Sequence, residues 1–80
     1  MGQYFFFYNK SLNEHNKHGC SYNFGLTWCK MVPYSEEEHI LIFEEIIEAN
    51  GWKKEHRIVA KGDYDDYIIY ENGDIIESTI

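Results

Sequence analysis

The segment SEEEHILIFEEIIEANG, residues 35–51, constrains the fold of this chain more than any other stretch. Ser35 and Glu38 stand at the S-x-x-E spacing of a capping box, in which each side chain satisfies a backbone N–H that the helix start leaves open. Glu36 and Glu37 suit the positive end of the helix dipole. At about 100° per residue, Ile40, Ile42, Phe43, Ile46 and Ile47 fall on one broad stripe centred near His39 and Phe43. Asn50-Gly51 supplies the stop, with Gly51 free to turn left-handed and Trp52 able to fold back on the last turn. A helix over about 35–50 follows, with one apolar face that needs a partner surface.

The rest of the chain reads as strands. Residues 3–9 (QYFFFYN) form an aromatic run that favours a pleated sheet. Alternation puts Tyr4, Phe6 and Tyr8 on one face and Phe5 and Phe7 on the other. Two apolar faces suggest an interior strand covered on both sides. Residues 11–19 are polar and turn-rich, and read as a loop. Residues 20–30 form a second extended stretch, with Tyr22, Phe24, Leu26 and Trp28 on one side and Gly25 marking a bulge or turn. Residues 57–61 and 67–70 read as further strands, and Asn72-Gly73 is a strong hairpin signal joining the latter to residues 74–78. A two-residue turn pairs Tyr70 with Ile75, Ile69 with Ile76 and Glu71 with Asp74. The order β-β-α-β-β-β predicts an α+β fold, a small antiparallel sheet of about four to five strands packed against one helix.

Eighty residues make one domain, 1–80, of a size that buries only about 60 % of its chain surface. A hydrophobic fraction of 44 % and an aromatic fraction of 18 % exclude a disordered chain. The formal net charge of −7 repels nucleic-acid phosphates and anionic membranes and attracts basic partners. Direct nucleic-acid binding is therefore not expected, since no basic stripe is present. The apolar run from Tyr4 to Tyr8 is far too short for a signal core or a membrane span, so the expected location is the cytoplasm. Usage leaning to Ile, Lys, Asn, Tyr and Phe suits an AT-rich genome, such as those of many phages and mobile elements.

Four groups of residues carry chemistry worth weighing. His15, His18, Cys20 and Cys29 could supply an N₂S₂ zinc set, but their spacing matches no common zinc knuckle, and loop and strand roles account for them better. A Cys20–Cys29 disulfide conflicts with one extended stretch, because the two ends lie well beyond the Cα limit of about 7 Å. Asp63, Asp65 and Asp66, with Glu71 and Asp74, make an acidic end on the last strands, without the D-x-D-x-D-G order of a calcium loop. His39 sits in the first helical turn with no nucleophile at a recognisable spacing, which suits a core-edge residue better than a catalytic base. Leu41 lies at the centre of the polar helix face, ringed by Glu37, Glu44, Glu45 and Glu48. An apolar residue among carboxylates suits contact with a basic protein surface.

Seven tyrosines are many for this length, and Tyr is enriched where proteins meet. If the helix covers one sheet face, the Tyr4, Phe6 and Tyr8 face is left for a second copy, as a homodimer, or for a target. The expectation is a small non-enzymatic acidic protein without a cofactor. It binds, and inhibits, a nucleic-acid-processing or defence protein through a basic surface that normally holds phosphates. A small-ligand or metal-binding domain built around residues 15–29 is the alternative.

Overall fold

The computed structural model describes residues 3–19 and 26–80. The elements run β1 (Tyr4–Asn9), β2 (Glu14–His15), β3 (Trp28–Lys30), α1 (Glu36–Asn50), β4 (Ile58–Gly62), β5 (Tyr67–Glu71) and β6 (Asp74–Ser78). One antiparallel sheet holds all six strands in the order β2-β1-β4-β5-β6, with β3 also on β1. β2 pairs with the end of β1 at Tyr8 and Asn9, and β3 pairs with its beginning at Tyr4 to Phe6. The two short strands therefore share one edge of β1, while β4 takes the other along most of its length.

Register decides which side chains meet the helix. Phe5 stands opposite Gly62, Phe7 opposite Ala60 and Asn9 opposite Ile58. Ile58 and Ala60 in turn stand opposite Tyr70 and Ile68. These residues are all buried, and α1 adds Ile42, Phe43, Ile46 and Ile47 from above. Phe43 sits between two rings, edge-on to Phe7 at 5.2 Å and stacked on Tyr70 at 5.1 Å. Aromatic pairs in such arrangements contribute about 0.5–1.5 kcal/mol beyond the area they bury.

The helix ends as its residues dictate. Ser35 and Glu38 form the reciprocal capping box, and Gly51 adopts φ 71° with its N–H on the Glu48 carbonyl. The Trp52 N–H reaches back to the Ile47 carbonyl at 2.9 Å, closing the last turn. His39 is buried and bonds the Met31 carbonyl through Nε2 at 2.5 Å, holding the segment before the helix against its first turn.

The structure departs from the sequence expectations in four places. First, the sheet has six strands, because residues 14–15, inside the expected loop 11–19, fold back on β1 as β2. The turn between them is built by Asn13 at φ 56° and by the Asn9 side chain, which accepts the Leu12 N–H. Second, the extended stretch 20–30 is strand only at Trp28–Lys30; residues 20–25, with Tyr22, Phe24 and Gly25, lie outside the described residues. Third, β1 is an interior strand covered on one face only, since Tyr4 and Phe6 are 37 % and 52 % exposed. Fourth, Ile69 does not pair with Ile76. Asn72 and Gly73 both have positive φ, as a tight hairpin turn requires, and Tyr70–Ile75 and Glu71–Asp74 pair as expected. A bulge then sets Ile69 opposite Glu77 and leaves Ile76 half exposed. The bulge lets the Glu77 carboxylate accept the Tyr67 hydroxyl, and bulged edges resist pairing with other chains.

Candidate protein-binding surface on the helix

With its inner stripe committed to the sheet, α1 turns Leu41 to the outside. Glu37 precedes Leu41 by four residues, Glu44 and Glu45 follow by three and four, and Glu48 by seven, so all lie on one row. Leu41 is 48 % exposed, Glu37, Glu44 and Glu48 are exposed, and Glu45 is half-buried. The helix contains six glutamates and neither lysine nor arginine. Among the described residues, the side chains of Glu37, Glu44 and Glu48 have no ion-pair or hydrogen-bonding partner, and the ion pairs Arg57–Glu71 and Lys61–Asp65 lie away from the helix, on the sheet and its 63–66 turn. Like charges at helical spacing cost a few tenths of a kcal/mol per pair. The helix face therefore carries charge that the fold does not use.

The acidic turn is different, because its carboxylates are engaged. Gly62 and Asp66 close a three-residue hairpin loop, with the Gly62 N–H on the Asp66 carbonyl at 2.7 Å and Asp65 left-handed at φ 71°. Gln3 organises this turn. Its Oε1 accepts the N–H groups of Tyr64 and Asp66 at 3.0 and 3.2 Å, and its Nε2 donates to Asp66 Oδ2 at 2.7 Å. A Cβ on Gly62 would fall 1.9 Å from Gln3 Oε1, so only glycine admits the Gln3 side chain here. Hydrogen bonds from Gln3 and then Thr79 hold the Asp66 carboxyl below its usual range. Asp63 accepts the Tyr4 N–H at 3.1 Å, and Asp65 lies 3.7 Å from Lys61. Asp63, Asp65 and Asp66 thus have internal side-chain partners of a kind not found for Glu37, Glu44 and Glu48 among the described residues.

The histidine and cysteine residues do not converge. His15 pairs with Tyr8 and packs its ring against it at 4.9 Å, on the open face of the sheet. Cys29 pairs with Phe5 and is fully buried on the helix side. The sheet thus stands between His15 and Cys29, which prevents both from holding one ion. His18 is exposed in the loop, and Cys20 lies outside the described residues. Among the described residues no three His, Cys, Asp or Glu side chains gather as a metal site. The 13–19 segment is instead clasped to the helix end: Asn50 accepts the Lys17 N–H at 2.8 Å and donates to Asn16 Oδ1 at 2.7 Å. Trp52 Nε1 adds a bond to Glu14 at 2.9 Å.

On the far side of the sheet, Tyr4, Phe6 and Tyr8 are joined by Trp28, which stands opposite Phe6 and meets the Tyr4 ring edge-on at 4.4 Å. Sequence reasoning placed Trp28 on a strand but did not connect it with β1. The β1–β3 pairing that joins them is long-range, and nothing local signals it. No helix is long and apolar enough to cross a membrane among the described residues. Comparison with protein-family models, curated proteins and solved structures gave no match to this chain.

Proposed function

We propose that this chain is a non-enzymatic binding protein whose helix face occupies a basic surface of a target protein. The observation that supports this reading is the exposed Glu37, Glu44 and Glu48 around Leu41, whose side chains meet no cation among the described residues. Spaced carboxylates on a rigid helix can stand where phosphates stand on a nucleic acid, which suits a nucleic-acid-processing or defence enzyme as target and inhibition as outcome. Leu41 supplies what charge alone does not, an apolar anchor inside a polar rim. The carboxylates speed encounter, and the anchor slows departure.

Affinity capture from the native host tests the reading with three baits in parallel. Wild-type chain retains a basic protein, Glu37→Gln/Glu44→Gln/Glu48→Gln loses it, and Asp63→Asn/Asp65→Asn retains it. Equal capture by the wild-type and glutamine baits would contradict the proposal.

A further inference from the structure

A pocket of about 230 Å³ opens between the start of α1 and the end of β6. Val32, Tyr34, Ile75 and Ile80 give it mainly apolar walls, and Glu36 and His39 also line it. Small-molecule sites usually occupy about 300–1,000 Å³, so this one suits a single side chain. His39 is 5 % exposed and donates through Nε2 to the Met31 carbonyl, which leaves Nδ1 of the neutral ring as an acceptor. No donor among the described residues reaches that nitrogen. The Glu36 carboxylate likewise has no hydrogen bond or ion pair among the described residues. Two open acceptors therefore stand beside an apolar wall.

The surrounding charge selects a cation for them. No lysine or arginine lines the pocket. Lys30 turns to the opposite face of the sheet, over the Tyr4 ring, and Lys61 lies on that face too, across from Phe6 and 3.7 Å from Asp65. Lys10 and Arg57 meet at the other end of the sheet, and Lys17, Lys53 and Lys54 lie by the far end of the helix. The near end carries the acidic 63–66 turn, with Asp66 bonded to Thr79 just beyond β6. A helix start is worth about half a positive charge, which the three glutamates of this first turn outweigh.

We infer that this pocket takes a lysine side chain of a partner protein, with the ammonium on Glu36 and His39 and the alkyl stem along Val32, Ile75 and Ile80. The basic target proposed above would supply that lysine, so the source of the side chain rests on that reading, while the preference of the pocket does not.

The probes are n-butylamine, n-butanol and butyrate, which share an alkyl stem and differ in charge, at pH 8 where an alkyl amine is still an ammonium. The methyl signals of Val32, Ile75 and Ile80 are followed by NMR during titration. Trp52, 6 % exposed beyond the other end of the helix, reports an intact fold. Butylamine shifts the methyl signals saturably and binds at least about three-fold more tightly than butanol, with butyrate weakest. Glu36→Gln, at an exposed position that leaves Ser35 and Glu38 to cap the helix, removes most of that preference. Val32→Ala weakens butylamine and butanol alike. No saturable shift, equal binding of butylamine and butanol, a preference for butyrate, or a preference that survives Glu36→Gln would each overturn the inference. Capture of the target depends on Glu37, Glu44 and Glu48 and not on these probes, so the two readings fail separately.

Discussion

Tyr70 shows how tightly individual residues are bound to this core. Its ring stacks on Phe43, yet its hydroxyl is buried with no hydrogen-bonding partner among the described residues. Burial, and then the charges of Glu44 and Asp74, push its pKa above the usual tyrosine value. A buried hydroxyl left unbonded costs about 1–3 kcal/mol, so Tyr70→Phe should leave stability unchanged or raise it by about 1 kcal/mol. A lower denaturation midpoint in the Phe variant would show that the hydroxyl is satisfied. Asp66 makes a prediction about pH. Its folded pKa is held below the ordinary carboxyl value of 3.8 by hydrogen bonds from Gln3 and Thr79, so it contributes stability above that value. The contribution is lost as pH falls through the lower folded value. Asp66→Asn should therefore melt below wild type at neutral pH, with the gap closing as pH drops below about 4. A gap independent of pH would place the effect elsewhere. None of this was legible beforehand, because Gln3 and Asp66 lie 63 residues apart and meet only once β1 and β4 pair.

Elements were legible where their signals were local. The capping box, the left-handed Gly51 and the apolar stripe occupy 17 consecutive residues, and the helix begins and ends where they direct. Ser35→Ala should cost about 1 kcal/mol. Gly51→Val, forced to hold φ 71°, should cost at least about 1–2 kcal/mol with no steric clash, since nothing lies within 4 Å of the added Cβ. Unchanged urea midpoints for both variants would contradict the caps. The Asn72-Gly73 turn was equally local and fixed its first two pairs. The bulge beyond it was not, because it answers to the Tyr67–Glu77 contact across the strands. Likewise β2 is only two residues long and owes its existence to β1 and to the Asn50 clasp, neither of which a window of sequence contains. The helix surface was legible in outline, since Leu41 and its glutamates follow from periodicity alone. The sequence made no distinction between these carboxylates and those of the 63–66 turn; their hydrogen bonds do.

At the scale of the whole molecule, one helix on one sheet face leaves two unlike surfaces back to back. The outer helix face is acidic with an apolar centre, and the outer sheet face is aromatic with Lys30, Arg57 and Lys61 near its rings and strands. Net charge describes only their sum. If the helix carboxylates drive association with a basic protein, the kinetics of association with the captured partner must depend on salt and on those carboxylates. Screening lengths fall from about 10 Å at 0.1 M salt to about 3 Å at 1 M, so the wild-type association rate should drop steeply over that range. Glu37→Lys/Glu44→Lys/Glu48→Lys should slow association at low salt and flatten its salt dependence, while Leu41→Ala chiefly speeds dissociation. An association rate that ignores both salt and the triple reversal would contradict the account.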